Sequence, residues 1–448
     1  MNNPPLTLKT GYTNYWGNLP GASRAMHFVE LAKQHAEQHQ APIIIVCSQT
    51  GDIHRYEQEI ALFNVASPGR TKLPVLSFPD WETLPYDYFS AHETIISERL
   101  YALYNIPRMT GGIIIASLNS IAMRLSPKSF IEGNVLSFKV GDRVDLTTAR
   151  GQFEAAGYNY VNKVMEHGEF SVRGALLDLF PMGAAQPIRI DFFDDEIESI
   201  RCFDTDSQLS QGELEHFELL PAHEFPTDQE AIKHFRQKFR SIFDVELADC
   251  PIYQDVSNGL LPAGIEYYLS LFNQSTATLF DYLPPSSIII TDAERLNKQQ
   301  QLWQDTAERY EERRWDRSRP ILSPNELQLA PEEMNSLFKS QWQLVIDDDK
   351  ASADNLFTYK VPTELQINHK LDDPLSALRQ FQLSFKLPIL IGAESAGRRE
   401  AIIELFQRFK FEFSQLDSWQ EIKQYDSDIF ITVAAIEQSF CSDQFCFL

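Results

Sequence analysis

Two hydrophobic periodicities alternate along the first part of the chain. Residues 24–38, "RAMHFVELAKQHAEQ", carry apolar positions at helical spacing, and 42–48, "PIIIVCS", follow as an unbroken apolar run bounded by turn formers. "DIHRYEQEIALF" (52–63) returns to helical spacing, "PVLSF" (74–78) is strand-like, and "TIISERLYALYNI" (94–106) is helical again. "GGIIIASLNSIAMRL" (111–125) passes from strand into helix. Wholly apolar strands that alternate with helices predict a parallel sheet covered on both faces.

After Ser126-Pro127 the texture changes. Residues 128–212 read as short alternating strands with one helix, "TTARGQFEAAGY". Within them "PIRIDFF" (187–193), the pair Asp194-Asp195 and "EIESIRCF" have the form of a hairpin. From 219 the pattern is helical once more, and "FDYLPPSSIIITDAERL" (280–296) is a strand entering a helix. If that strand rejoins the first sheet, 128–212 is an insertion. The predicted organisation is an α/β domain in two parts, 1–127 and 213–345, interrupted by a small α+β unit at 128–212. A polar linker at 346–371 then leads to a separate small α/β domain at 372–448. The chain closes on "FCFL" without a stop signal, which reads as part of something longer.

Composition narrows the function. A length of 448 residues suits two to four domains. The net charge of −24, from 63 acids against 39 bases, argues against a general nucleic-acid binder, although a local basic patch stays compatible with it. Apolar runs are strand-sized, so no membrane is expected, and the N-terminus lacks the form of a signal peptide. Five cysteines are scattered, and the closest two, Cys441 and Cys446, lack C-x-x-C spacing. That usage predicts a reducing cytoplasm and no structural zinc.

Two stretches invite a phosphate-loop reading. "GAESAGRRE" (392–400) has glycines at the right spacing, but Arg398 and Arg399 stand where a lysine and a magnesium-binding hydroxyl are needed. In "NLPGASRAMHF" (18–28), Gly21 aligns with the inner glycine, and Ser23, Arg24 and Ala25 fall where Gly, Lys and Thr belong. A helix start there attracts an anion weakly at best. "IIITDAERL" has the apolar strand of an acidic magnesium motif but not adjacent acids. Taken in order, the three resemble an NTPase fold with its chemistry removed. The acids of "DWETLPYD" read as a solvated loop, and His167 beside Glu166 and His223 beside Glu224 lack metal-ligand spacing. No catalytic residue and no metal site is expected. "GEFSVRGALLDLFPMG" (168–183) places Arg173 mid-strand, and its pattern leaves solvent, phosphate and a protein partner all open.

"FPDWETLPYDYFSAHETIISERL" (78–100), "VMEHGEFSVRGALLDLFPMG" (164–183), "IRIDFFDDEIESIRCFD" (188–204), "LLPAHEFPTD" (219–228) and "LPAGIEYY" (261–268) closely resemble the N-terminal part of bacterial transcription-repair coupling factors, the Mfd family. The resemblance runs in register over essentially the whole chain and is weakest in the last unit. It implies a degenerate helicase-like parallel sheet similar to UvrB, interrupted by a small domain that recruits UvrA. It also implies a lost phosphate loop (Gly21, Ser23, Arg24, Ala25) and hence no cofactor here. "YDYFS" passes quickly into helix, leaving no room for a long DNA-clamping hairpin of the UvrB type.

In full-length family members an ATP- and magnesium-dependent motor on double-stranded DNA, and a domain that grips RNA polymerase, lie further on. The family's UvrA-binding residues fall on Arg173, Arg189 and Phe193, a face that the C-terminal domain covers in the intact protein. Alternation in "IRIDFF" agrees: Ile188, Ile190 and Phe192 share one side, and Arg189, Asp191 and Phe193 the other. A monomer has no packing reason to show a large aromatic beside a cation, and both types are enriched in interface hot spots. A cytoplasmic monomer is implied, with no role for 372–448. The alternative is a UvrB-like module that binds DNA or nucleotide directly.

Overall fold

A computed structural model describes residues 6–49, 51–66, 71–348, 353–362, 365, 372–416, 418–424 and 428–448. Its largest sheet has seven parallel strands in the order Asn355–Leu356, Thr13–Gly17, Trp342–Ile346, Ile288–Asp292, Ile43–Cys47, Ile113–Ser117, Val75–Phe78. The isoleucine runs account for it. Successive strand residues face opposite sides, and both sides are buried here. Ile44, Val46, Ile114 and Ile289 enter one core, while Ile43, Ile45, Ile115 and Ile290 enter the other. Leu100 and Leu103 of the helix Glu93–Asn105 cover the first side; Phe28 of Ser23–His39 and Ile60 of Gly51–Phe63 cover the second. Ile288–Asp292 lies between Ile43–Cys47 and Trp342–Ile346, so the chain does rejoin its first sheet after a long excursion.

The excursion forms a six-stranded sheet in the order Ser210–Leu214, Glu196–Phe203, Ile188–Phe193, Leu176–Leu179, Glu169–Arg173, Asn159–Tyr160. Its ladders are antiparallel except the last, which is parallel. Two helices accompany it, Lys128–Gly133 and Leu146–Ala155, where the pattern predicts one; the first is too short to show a period. A further antiparallel pair, Leu136–Lys139 with His216–Leu219, carries the pairing of this unit past position 212. Phe138 and Phe217 stack across that pair with ring centres 5.2 Å apart.

One buried ion pair fastens the small unit to its host. Arg99, on the helix Glu93–Asn105, is fully buried, with Nε 2.5 Å from Glu224 Oε1 and Nη2 3.1 Å from Oε2. Its Nη1 donates to the carbonyl of Pro79 at 2.6 Å, and Trp81 Nε1 donates to Glu224 Oε1 at 3.0 Å. Glu224, unremarkable in sequence, is therefore a structural counter-ion.

The last unit is a five-stranded sheet in the order Ser414–Gln415, Ile429–Val433, Ile389–Ala393, Cys446–Phe447, Phe440–Cys441. All its pairs are parallel except the closing hairpin. Across that hairpin Cys441 and Cys446 face one another and are disulfide-bonded, a pairing that the expectation of a reducing cytoplasm does not include. The spacing alone hides this, because the two residues oppose each other only once the hairpin register is fixed. Ile389, Ile403, Phe406 and Ile429 give the unit its own core. On its other side Leu390, Phe430, Phe440 and Phe447 join the second core of the large sheet, where the Phe63 ring lies 5.5 Å from Trp419 and 6.3 Å from Phe447. Among the described residues no helix is long and apolar enough to cross a membrane.

Candidate protein-interaction face

The strand Ile188–Phe193 follows the predicted alternation: Ile188, Ile190 and Phe192 are buried, Arg189 and Asp191 are partly exposed, and Phe193 is 74% exposed. Two hairpins bring the three predicted binding residues onto this sheet. Arg173 ends its strand at a tight turn where Gly174 takes a φ of +64°, a backbone open to glycine at little cost. Phe193 ends its own strand at the turn through Asp194, which also has positive φ.

Between them stands a residue that motif reasoning missed. Asp178 is 1% exposed and pairs in register with Arg189 on one side and Ser171 on the other. Its Oδ1 accepts from Arg189 Nε at 2.7 Å, and its Oδ2 accepts from Arg189 Nη2 at 2.9 Å and from Arg173 Nη2. One buried carboxylate thus clamps both arginines. Hydrogen bonding to it raises the Arg189 guanidinium above its ordinary pKa. Arg189 also lies 4.8 Å from the centre of the Phe203 ring and donates through Nη1 to the carbonyl of Gln208 at 3.1 Å. Its side chain is only 14% exposed, whereas that of Arg173 is 51% exposed. In the next row Asp191 accepts from Arg201 and from Ser199 Oγ. The result is a pinned cationic surface with an exposed aromatic at its edge.

The four residues of the suspected phosphate loop lie at the start of the helix Ser23–His39. Gly21 makes the turn with a φ of +51°. Ser23 and Ala25 are fully buried, and Ser23 Oγ donates to the carbonyl of Pro20 at 2.6 Å. Arg24 Nε donates to the carbonyl of Leu19 at 2.9 Å, and its Nη2 lies 2.5 Å from Asp348 Oδ2. The loop's cation is therefore engaged by the chain itself. In the other glycine loop, Ser395 caps the helix Ala396–Arg408 by accepting from Arg398 N at 3.2 Å, an ordinary strand-to-helix turn. Among the described residues no three His, Cys, Asp or Glu side chains are grouped so as to hold a metal. His167 Nε2 lies 2.9 Å from the carbonyl of Ala184, and burial pushes His223 down to about 4. Between the strand Val75–Phe78 and the helix Glu93–Asn105 no strand intervenes, so the loop through "YDYFS" carries no hairpin.

Comparison with known proteins places these units. Residues 136–225 match a family described as the UvrB interaction domain, and residues 381–448 match one described as the MFD D3 domain. The first match begins at the strand that opens the Leu136–Lys139 pair and ends just past Glu224. The chain is 40% identical to the transcription-repair-coupling factor of Escherichia coli over 440 residues, 97% of this chain and 37% of that protein. It is likewise 40% identical to that of Haemophilus influenzae, over 95% of this chain and 36% of that protein. Against that of Rickettsia bellii the identity is 24%, over 91% and 36%. The chain therefore spans little more than a third of the length of these relatives.

Proposed function

Since the chain belongs to the transcription-repair coupling factor family over the part that it spans, we propose that its small domain recruits UvrA to stalled RNA polymerase for transcription-coupled nucleotide-excision repair. The flanking α/β domain serves as a non-catalytic, UvrB-like scaffold. The observation that carries the reading is the Asp178 clamp. It fixes Arg173 and Arg189 on the same sheet face as an exposed Phe193, in a domain that matches the UvrB interaction family. An arginine held by a buried carboxylate reaches its partner already ordered, so little rotamer freedom is lost on binding.

ATP hydrolysis, movement on double-stranded DNA and displacement of RNA polymerase belong, in this reading, to the remainder of the full-length relatives. So does a C-terminal domain that covers the UvrA face until the protein is engaged. The absent lysine and magnesium hydroxyl support a chain without nucleotide cofactor, and an ATPase assay of the purified chain checks it: turnover would refute the scaffold reading. The net charge of −24 weighs against direct DNA binding.

The binding face is tested with Arg173→Glu in a titration against UvrA. Truncating a central interface arginine costs ~2–4 kcal/mol, or about 30- to 1,000-fold in affinity. Unchanged binding by a well-folded variant would sink the assignment.

A further inference from the structure

We propose that the degenerate phosphate loop has become a docking socket for the third domain, an anion site that the chain fills with its own groups. The first of these is Asp348, beyond the strand Trp342–Ile346. Its Oδ1 accepts the Leu19 N–H at 2.8 Å, and its Oδ2 sits 2.5 Å from Arg24 Nη2. A backbone N–H and a guanidinium converging on one carboxylate make the kind of contact that a loop before a helix offers an anion.

The second group comes from the third domain. A Cβ at Gly21 would lie 2.4 Å from the Gln438 carbonyl oxygen and 2.8 Å from its Cβ, so the peptide at 438 rests directly on the turn. Beside it Arg55 Nε lies 3.1 Å from Glu437 Oε2, while Arg55 Nη2 holds Asp52 at 2.9 Å. These contacts rim a cleft of about 540 Å³ that is lined from both domains, by Asn18, Gly21, Arg24 and Arg55 on one side and Glu437 and Gln438 on the other. The Phe63, Trp419 and Phe447 rings supply the apolar part of the same interface. Glycine at 21 thus serves the close approach of a protein backbone. A phosphate held by the Leu19 N–H and Arg24 and the Asp348 carboxylate that already occupies both become mutually exclusive. The third domain, whose matching family model is described without an activity, has a structural partner in the first.

The test uses the full chain and inorganic phosphate as the probe. In Asp348→Ala the Leu19 N–H and Arg24 lose their anion, so phosphate, compared with chloride at equal ionic strength, should raise the thermal midpoint of the variant by about 2–4 °C and leave the parent unchanged. Arg55→Glu should speed hydrogen exchange in the strands Ile429–Val433 and Phe440–Cys441 roughly fivefold, and adding Glu437→Arg should restore the parent rate. Equal stabilisation of parent and variant by phosphate would show an open socket and overturn the proposal. So would exchange in the third domain that ignores the charge reversal. The second arm decides the matter if Asp348→Ala does not fold.

Discussion

Replacing Asp178 by asparagine separates the organisation of the candidate face from contact with its partner. The substitution keeps shape and removes charge from a residue that is 1% exposed and would scarcely touch a bound protein. Breaking a buried ion pair by neutralising one side costs ~3–5 kcal/mol. The half-exposed Arg173 recovers part of that by turning to water, so ~2–3 kcal/mol of domain stability is the expected loss. Two arginine side chains are also released, and each immobilised long side chain is worth ~0.5–1.5 kcal/mol on binding. UvrA affinity should therefore fall by ~1–3 kcal/mol, about 5- to 150-fold, although no contacting atom has been removed. Urea unfolding followed by circular dichroism reads the first quantity and calorimetric titration the second, at a temperature where the variant is folded. Parental affinity in a folded Asp178→Asn variant would refute preorganisation. Parental stability would show that the carboxylate is not the clamp.

Three further outcomes follow from single side chains. Phe193→Ala should change stability by no more than ~0.5 kcal/mol, because the ring is 74% exposed, and should weaken UvrA binding by ~1–3 kcal/mol; a matching loss of stability would place the ring in a core. Glu224→Gln leaves the fully buried Arg99 without its counter-ion and should cost ~3–5 kcal/mol in urea unfolding, with a loss below ~1 kcal/mol refuting the fastening role. Burial pushes the Glu59 carboxyl up to about 7, so the folded chain keeps a proton that the unfolded chain, at an ordinary value of about 4.3, gives up. Stability is then retained below the unfolded value and lost as pH rises through 7. Glu59→Gln removes that loss, so its advantage over the parent in unfolding free energy, read by urea titration, should widen by about 2–3 kcal/mol between pH 5 and pH 8; a gap independent of pH would refute the assignment.

Which of these features a sequence discloses depends on whether they are local. The isoleucines at 43–45 and 113–115 announce a strand buried on both sides, because period two and apolarity are carried by neighbours in the chain. Phe193 was legible for the same reason: an aromatic set against the alternation of its own strand marks itself as exposed. Asp178 was not, since its partners are fixed by ladder register, which places it opposite Arg189 and within reach of Arg173 only once two hairpins have closed.

A trace of Asp178 did exist. A lone acid in "LLDLF" reads as a charge in an apolar run, and a buried charge demands a partner. Arg173 and Arg189 flank it in sequence, and pairing the acid with both predicts the clamp. No such trace exists for Gly21 and Gln438, which meet from opposite ends of the chain. Periodicity records that a face is covered and never by what, and a glycine that admits a foreign peptide looks the same as one that once admitted a phosphate. That Ser23, Arg24 and Ala25 follow Gly21 is read directly from the chain; that Gln438 rests on that glycine comes from tertiary packing alone.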